Sequence, residues 1–276
     1  MNTIPLRDTR LAYFEQGRGE PLVFVHGTLG SMRDFPAQVE FFSQSHRVIA
    51  YSRRFHPPNP ADRSGDSYSL SVHAADLAEM VEALGIAPAT VIASSYGGYV
   101  ALCCAVRHPG FIQRLVLGEP PMLPLLRKTH EGETALEEFE ANTLAPARAA
   151  FAGGDDMLGV RKFFDGVSGR RGTFDLLPGP SRERLMESAA TLRLELLAGP
   201  DEYMPAIPDD QIHAALVPVL LLNGQKSPRM FSLITDELER LLPDTYRVLI
   251  PGAGHAMHAA NPGFYNGVVR EFLTPV

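Results

Sequence analysis

Three residue types far apart in this chain could together carry out acyl chemistry: a serine, a histidine and a carboxylate. The serine lies in Val91-Ile92-Ala93-Ser94-Ser95-Tyr96-Gly97-Gly98-Tyr99. A hydroxyl lifted out of a sharp strand-to-helix turn needs small residues two positions before and two after it, because larger side chains clash across the turn. Around Ser95 those positions hold Ala93 and Gly97, whereas around Ser94 they would hold Ile92 and Tyr96. Ser95 is therefore the candidate nucleophile. A match this short can equally be a serine that caps a helix, so its partners must decide.

The base is expected in the loop after the last strand, where Pro251-Gly252-Ala253-Gly254-His255 ends an apolar run. The glycines free the loop to present the imidazole, and a pKa of about 6.5 suits proton transfer near neutrality. His258 reads as a local packing residue. The acid has two candidate places. The loop after the strand at 217–222 reads Asn223-Gly224-Gln225-Lys226-Ser227-Pro228 and holds no carboxylate; Asp236 follows inside the next helix. Glu119, in Val116-Leu117-Gly118-Glu119-Pro120-Pro121, stands at a strand end one element after Ser95. The order Ser95, Glu119, His255 makes Glu119 the preferred acid, with Asp236 the alternative.

Val23-Phe24-Val25-His26-Gly27-Thr28-Leu29-Gly30 ends a strand in a glycine-bearing loop. Such a loop can aim a backbone N–H at a developing oxyanion, with the residue after the nucleophile as second donor; Thr28 and Tyr96 are assigned these roles. His26 reads as a residue that fixes this loop at the pocket mouth rather than a proton carrier. Phe35, Met122 and Met257 are candidate apolar substrate contacts, although lid core is the bland reading of such residues. Arg53 and Arg54 follow another strand; Arg53 could receive a substrate carboxylate, or the pair could brace the loop by pairing with acids.

Alternating elements must position these residues. Strands are predicted at 11–15, 21–25, 47–51, 89–93, 114–117, 217–222 and 246–250, with helices at 70–84, 96–108, 230–242 and 262–273. Between them, 122–215 shows helical patterns (136–144, 148–151, 160–167, 181–197) broken by Gly/Pro-rich turns. This predicts a mostly parallel sheet covered by helices on both faces, with a core domain at 1–121 and 216–276 and a helical cap at 122–215.

Composition narrows the partners. In 276 residues, 45% are hydrophobic and 21% charged, with a net charge of −7, which suits a globular enzyme and argues against nucleic-acid or anionic-membrane partners. No apolar run approaches a membrane span, and the start Met1-Asn2-Thr3-Ile4-Pro5 has no leader pattern. The adjacent Cys103 and Cys104 lie too close along the backbone, about 3.8 Å, to pair with each other. A reducing, cytoplasmic setting is expected, as a monomer or homodimer. No Cys/His cluster has metal-ligand spacing, and no cofactor is expected.

With His26-Gly27, Ala93-Ser94-Ser95-Tyr96-Gly97-Gly98 and Pro251-Gly252-Ala253-Gly254-His255 assembled, the chain resembles the α/β-hydrolase superfamily in its lid-bearing branch, over nearly its whole length. The place of Glu119 is similar to that subset, including some haloalkane dehalogenases and zearalenone lactonase, which takes its acid from the strand before the lid. The chain departs from the family at Ser52-Arg53-Arg54-Phe55-His56, where relatives often carry Asp and a Gly-x-Gly pattern. The resemblance implies a hydrolase of the ester or lactone of a small, largely apolar molecule. A carbon–carbon bond hydrolase of a diketone acid is the nearest rival; a cofactor-free perhydrolase or oxygenase and a non-catalytic ligand receptor are the others.

Overall fold

Along the central strands successive side chains are apolar in both directions, and this decides the architecture. The structure is a computed structural model that describes residues 1–60 and 68–274. Its eight strands are β1 (Asn2–Pro5), β2 (Arg10–Gln16), β3 (Pro21–Val25), β4 (Arg47–Tyr51), β5 (Ala89–Ser94), β6 (Ile112–Gly118), β7 (Val219–Gly224) and β8 (Thr245–Ile250). They form one sheet in the order β1-β2-β4-β3-β5-β6-β7-β8. β2 pairs antiparallel with both β1 and β4, and every pair from β4 to β8 is parallel.

The period of two sorts the strand residues into two cores. Val23, Val25, Ile49, Val91, Leu115, Leu117, Val219 and Leu221 face one side; Leu22, Phe24, Val48, Ala50, Ile92, Val116, Leu220 and Leu222 face the other. A parallel sheet buried on both faces needs this apolar content. α1 (Pro36–Phe42) and the C-terminal helix cover the second face; α2 (Leu70–Ala83) and α3 (Tyr96–Arg107) cover the first. The Ser69 side chain caps α2 by accepting the Val72 N–H, which satisfies one of the open donors of its first turn.

Between β6 and β7 the chain is helical, with no strand among the described residues. A 3₁₀ turn (Leu123–Lys128) leads into α4 (His130–Phe139), a π turn (Glu140–Leu144), α5 (Ala145–Ala152), α6 (Asp156–Val167), α7 (Thr173–Leu176), α8 (Gly179–Glu187), α9 (Ala189–Leu197), α10 (Pro200–Tyr203) and α11 (Asp209–His213). The single helical pattern read over 181–197 is two helices, split at Ser188 with φ −95° and ψ 5°. After β7 come α12 (Arg229–Leu241), β8, α13 (Met257–Ala260) and α14 (Pro262–Leu273). The predicted alternation is present. β1 and α1 lacked a sequence signal, because both are short and β1 buries only Ile4. β7 begins two residues later than the pattern suggests, after Pro218.

Candidate active site

The candidate residues gather at the carboxyl ends of the parallel strands. Ser95 follows β5 directly and opens α3 with φ 52° and ψ −128°, a conformation that non-glycine residues rarely adopt. Its N–H donates to Gly118 O at 2.7 Å, which ties the turn to the end of β6. The small flanking residue is required by contact: a Cβ on Gly97 would lie 2.4 Å from Val25 O and 2.5 Å from His26 O. Glu119 follows Gly118 and also has a positive φ, 49°.

Glu119 has no exposed surface, yet its carboxylate is fully engaged. His255 Nδ1–H donates to Oε2 at 2.7 Å, Ser227 Oγ–H donates to Oε2 at 3.0 Å, and the Gly224 N–H donates to Oε1 at 2.8 Å. The imidazole of His255 stacks on Phe231 of α12, ring centroids 4.3 Å apart, with 15% of its side chain exposed. Neither Ser95 Oγ nor His255 Nε2 makes a hydrogen bond among the described residues; such contacts often tighten only when substrate is bound. Asp236 lies elsewhere, at the surface of α12, ion-paired with Arg247 at 2.6 Å.

The loop after β3 packs against the serine. A Cβ on Gly27 would sit 3.0 Å from Ser95 Cβ and 3.6 Å from its Oγ. Among the described residues, neither the Thr28 N–H nor the Tyr96 N–H has a hydrogen-bond acceptor. His26 is fully buried and joins two loops: Nδ1–H donates to Gly27 O at 2.8 Å, and Nε2 accepts the Arg53 N–H at 2.9 Å. Burial, with the neighbouring His56 and Arg53, holds its pKa well below the usual histidine value, so the ring is neutral with the proton on Nδ1.

The remaining predicted contacts divide. Met257 is buried with its thioether next to the end of β6, 3.9 Å from where a Gly118 Cβ would be. Met122 is buried just past Glu119, beside Tyr99 and Ile207 in a crevice of about 60 Å³. Phe35, expected at the mouth, lies instead in the core on the far face of the sheet, its ring 5.1 Å from Phe24 and 4.9 Å from His258. Its place follows from helix α1, which starts at the next residue and packs that face. Arg53, which could receive a substrate carboxylate or brace its loop by pairing with acids, does the latter, with Glu195 Oε1 at 3.2 Å, Tyr68 OH at 2.9 Å, and the carbonyls of His26 and Gly27 as partners. Arg54 pairs with Asp76 and Asp8, both at 2.6 Å. A cavity of about 570 Å³ lies between α4, α6 and the start of α12, walled by Phe139, Asn142, Arg161, Asp165 and Arg229; neither Ser95 nor His255 lines it.

The family described as alpha/beta hydrolase fold matches residues 20–262, a span holding every residue of this cluster. The chain belongs to the alpha/beta hydrolase family. This alpha/beta hydrolase is 26% identical over 274 residues to a Bacillus subtilis (strain 168) protein named for 2-succinyl-6-hydroxy-2,4-cyclohexadiene-1-carboxylate synthase, covering 97% of this chain and 96% of that one. It is 26% identical over 276 residues to the sn-1-specific diacylglycerol lipase ABHD11 of Danio rerio, covering 98% of this chain and 84% of the lipase. The structure of MenH from S. aureus superposes with a TM-score of 0.74 at 20% identity, over 95% of this chain and 97% of that one. At such identity that likeness is one of fold.

Four residues of this hydrolase's site were not singled out by sequence reasoning. Gly224 ends β7 and Ser227 stands in the loop after it; this stretch holds no carboxylate, and it supplies donors to the one that follows the neighbouring strand. Glu195 and Tyr68 surround Arg53. The signal for Glu195 was present: it is the only acid in the apolar run Leu192-Arg193-Leu194-Glu195-Leu196-Leu197. Such a residue on a buried helix face must find a partner.

Proposed function

We propose that this chain is a serine hydrolase that cleaves an ester or lactone of a small, largely apolar molecule through an acyl-enzyme on Ser95. The observation that carries the reading is the 2.7 Å hydrogen bond from His255 to Glu119, the residue after Gly118, whose carbonyl accepts the N–H of Ser95 in its strained turn. Ser95 Oγ attacks the carbonyl carbon as His255 Nε2 takes its proton. Glu119 holds the imidazole in the tautomer with Nδ1–H and stabilises the imidazolium. The N–H groups of Thr28 and Tyr96 receive the oxyanion. His255 then returns the proton to the leaving alcohol, and water, activated by the same imidazole, releases the acid.

The helices between β6 and β7 act as a cap over this site, which divides the chain into a core at 1–121 and 216–276 and a cap at 122–215. Apolar neighbours such as Met257, Met122 and Phe231 suit an apolar acyl group. The buried free thiols Cys103 and Cys104 suit a reducing compartment such as the cytoplasm, and no helix among the described residues is long and apolar enough to cross a membrane. Relatives named as diacylglycerol lipases favour ester cleavage. The rival carbon–carbon hydrolase would be supported by Arg53 or Arg54 reading a substrate carboxylate, and these two face Glu195, Asp76 and Asp8.

Labelling with a fluorophosphonate followed by peptide mapping tests the proposal. The adduct is expected on Ser95, and Ser95→Ala is expected to lose about 10⁴-fold or more of kcat toward a short p-nitrophenyl ester while staying folded. An adduct on another serine, or undiminished turnover in Ser95→Ala, overturns it.

A further inference from the structure

Behind the loop after β3 sits a guanidinium with no exposed surface. Arg53 Nε donates to His26 O at 3.2 Å and Nη2 to Gly27 O at 3.1 Å. On its other side Nη1 donates to Tyr68 OH at 2.9 Å and Nη2 to Glu195 Oε1 at 3.2 Å. The Tyr68 hydroxyl also donates to Glu195. The guanidinium lies 4.9 Å from the ring centroid of Tyr96, the residue after Ser95. One side chain therefore touches the oxyanion loop, the first turn of α3 and helix α9 of the inserted segment.

The peptide between Gly27 and Thr28 is trans, and a trans peptide points its C=O and its N–H in opposite directions. Gly27 O is held by Arg53 Nη2, by His26 Nδ1–H at 2.8 Å and by the Gly30 N–H at 3.3 Å. Fixing that carbonyl fixes the direction of the Thr28 N–H, which is left without an acceptor beside Ser95. A cation on the carbonyl also polarises the peptide, so the N–H on its far side becomes a stronger donor.

We propose that Arg53 is a positioning residue that aims the Thr28 N–H at the oxyanion, and that Glu195 of α9 locks Arg53 in that pose, so that seating the inserted helices on the core and completing the oxyanion hole are one event. This rests on the reading of Ser95 as nucleophile. Lysine cannot replace Arg53: a single ammonium does not span two carbonyls, a phenol and a carboxylate as the planar fork does. Glu195 holds the other end with one oxygen only, since its Oε2 is buried and unpartnered. Burial pushes its carboxyl up to about 7, against the pull of Arg53, Tyr68 and Thr28. The other groups facing it are His56, at 3.4 Å, and Tyr203 and Tyr96.

The test compares Glu195→Gln and Arg53→Lys with the parent enzyme in two measurements. The first is the steady-state hydrolysis of a p-nitrophenyl ester. The second is inhibition by an alkyl trifluoromethyl ketone, which forms an oxyanion on the serine, set against the matching methyl ketone, which is bound without one. Both variants are expected to lose 10- to 100-fold in kcat with KM within threefold, and to lose trifluoromethyl ketone affinity in step while methyl ketone affinity holds. Unchanged kcat, or a rise in KM alone, overturns the proposal, as does a trifluoromethyl ketone affinity that stays constant. Should Arg53→Lys fail to fold, Glu195→Gln, which keeps the side-chain volume and an acceptor oxygen, decides alone. Fluorophosphonate labelling of the parent separates the two levels: an adduct away from Ser95 removes the nucleophile reading and this inference together, whereas an adduct on Ser95 with unaltered variants removes this inference only.

Discussion

At the scale of single residues, backbone strain and buried charge converge on the same few positions. The three non-glycine residues with positive φ among those described are Phe55, Ser95 and Glu119, just past the ends of β4, β5 and β6. Strain of this kind costs about 1–3 kcal/mol per residue and persists only where surrounding contacts over-determine it. Glu119 is held by three donors, which fix the position of its carboxyl against His255. Glu119→Gln keeps the shape but lets an amide donate to Nδ1, which moves the imidazole proton to Nε2, where it cannot act as base. A fall of about 10³-fold or more in kcat is expected. Asp236→Asn, which touches only surface pairs with Arg247 and Arg229, is expected to stay within about twofold of the parent. Parallel kinetics of the two variants check the assignment, and the reverse pattern would return the acid to α12.

At the scale of elements, the turn from β5 into α3 works because the helix starts close against β3. Gly97 is where the two effects of a methyl group compete. Alanine in a helix is favoured over glycine by about 0.5–1 kcal/mol, but here its Cβ would meet two backbone oxygens at 2.4 and 2.5 Å. Overpacking typically costs about 1–3 kcal/mol, and a backbone neighbour yields less easily than a side chain. Gly97→Ala is therefore expected to lower stability by about 1–2 kcal/mol, read as a lower urea midpoint, and to lower kcat through displacement of the Val25 and His26 carbonyls. A midpoint above the parent's would show that the turn relaxes freely. The inserted helices are joined to the core by single bonds at several places. Thr191 Oγ1 donates to Phe55 O, Tyr96 OH donates to Tyr203 O at 2.7 Å, and Tyr99 OH donates to Pro205 O.

At the scale of the whole molecule, buried histidines set the response to acid. Burial holds His26, His56 and His73 well below the usual histidine pKa and pushes His258 down to about 4. The unfolded chain protonates them near pH 6.5 while the folded chain keeps them neutral, so each contributes stability that is lost as pH falls below about 6.5. Glu195 and Asp34 act in the opposite sense. Burial raises their carboxyls to about 7, so the folded chain binds those protons first and their contribution is lost as pH rises through 7. With His46 also depressed and Asp76 also raised, five histidines stand against three carboxyls, and the unfolded state binds more protons in the histidine range. Stability is therefore expected to fall as pH drops from 6.5 toward 5.5. Urea midpoints at pH 7.5, 6.5 and 5.5 check this, and a midpoint that rises on acidification contradicts it.

Much of this protein is written in short-range terms that the sequence alone determines. The small residues either side of Ser95, the apolar period of the strands, the helical period between them and the order of serine, glutamate and histidine each follow from local sterics or chain order. They required no knowledge of which segments meet. What only the tertiary structure decided are the meetings. Arg53 does bind a carboxylate, as its chemistry suggested, but one 142 residues away in its own chain, and Phe35 faces the core because α1 packs on the far side of the sheet. The end of β7 and the loop after it, which carry no carboxylate, instead give hydrogen-bond donors to Glu119. A side chain's chemistry declares what it can bind, whereas which partner arrives depends on how the sheet and the inserted helices pack, and long-range packing leaves no local periodicity to read.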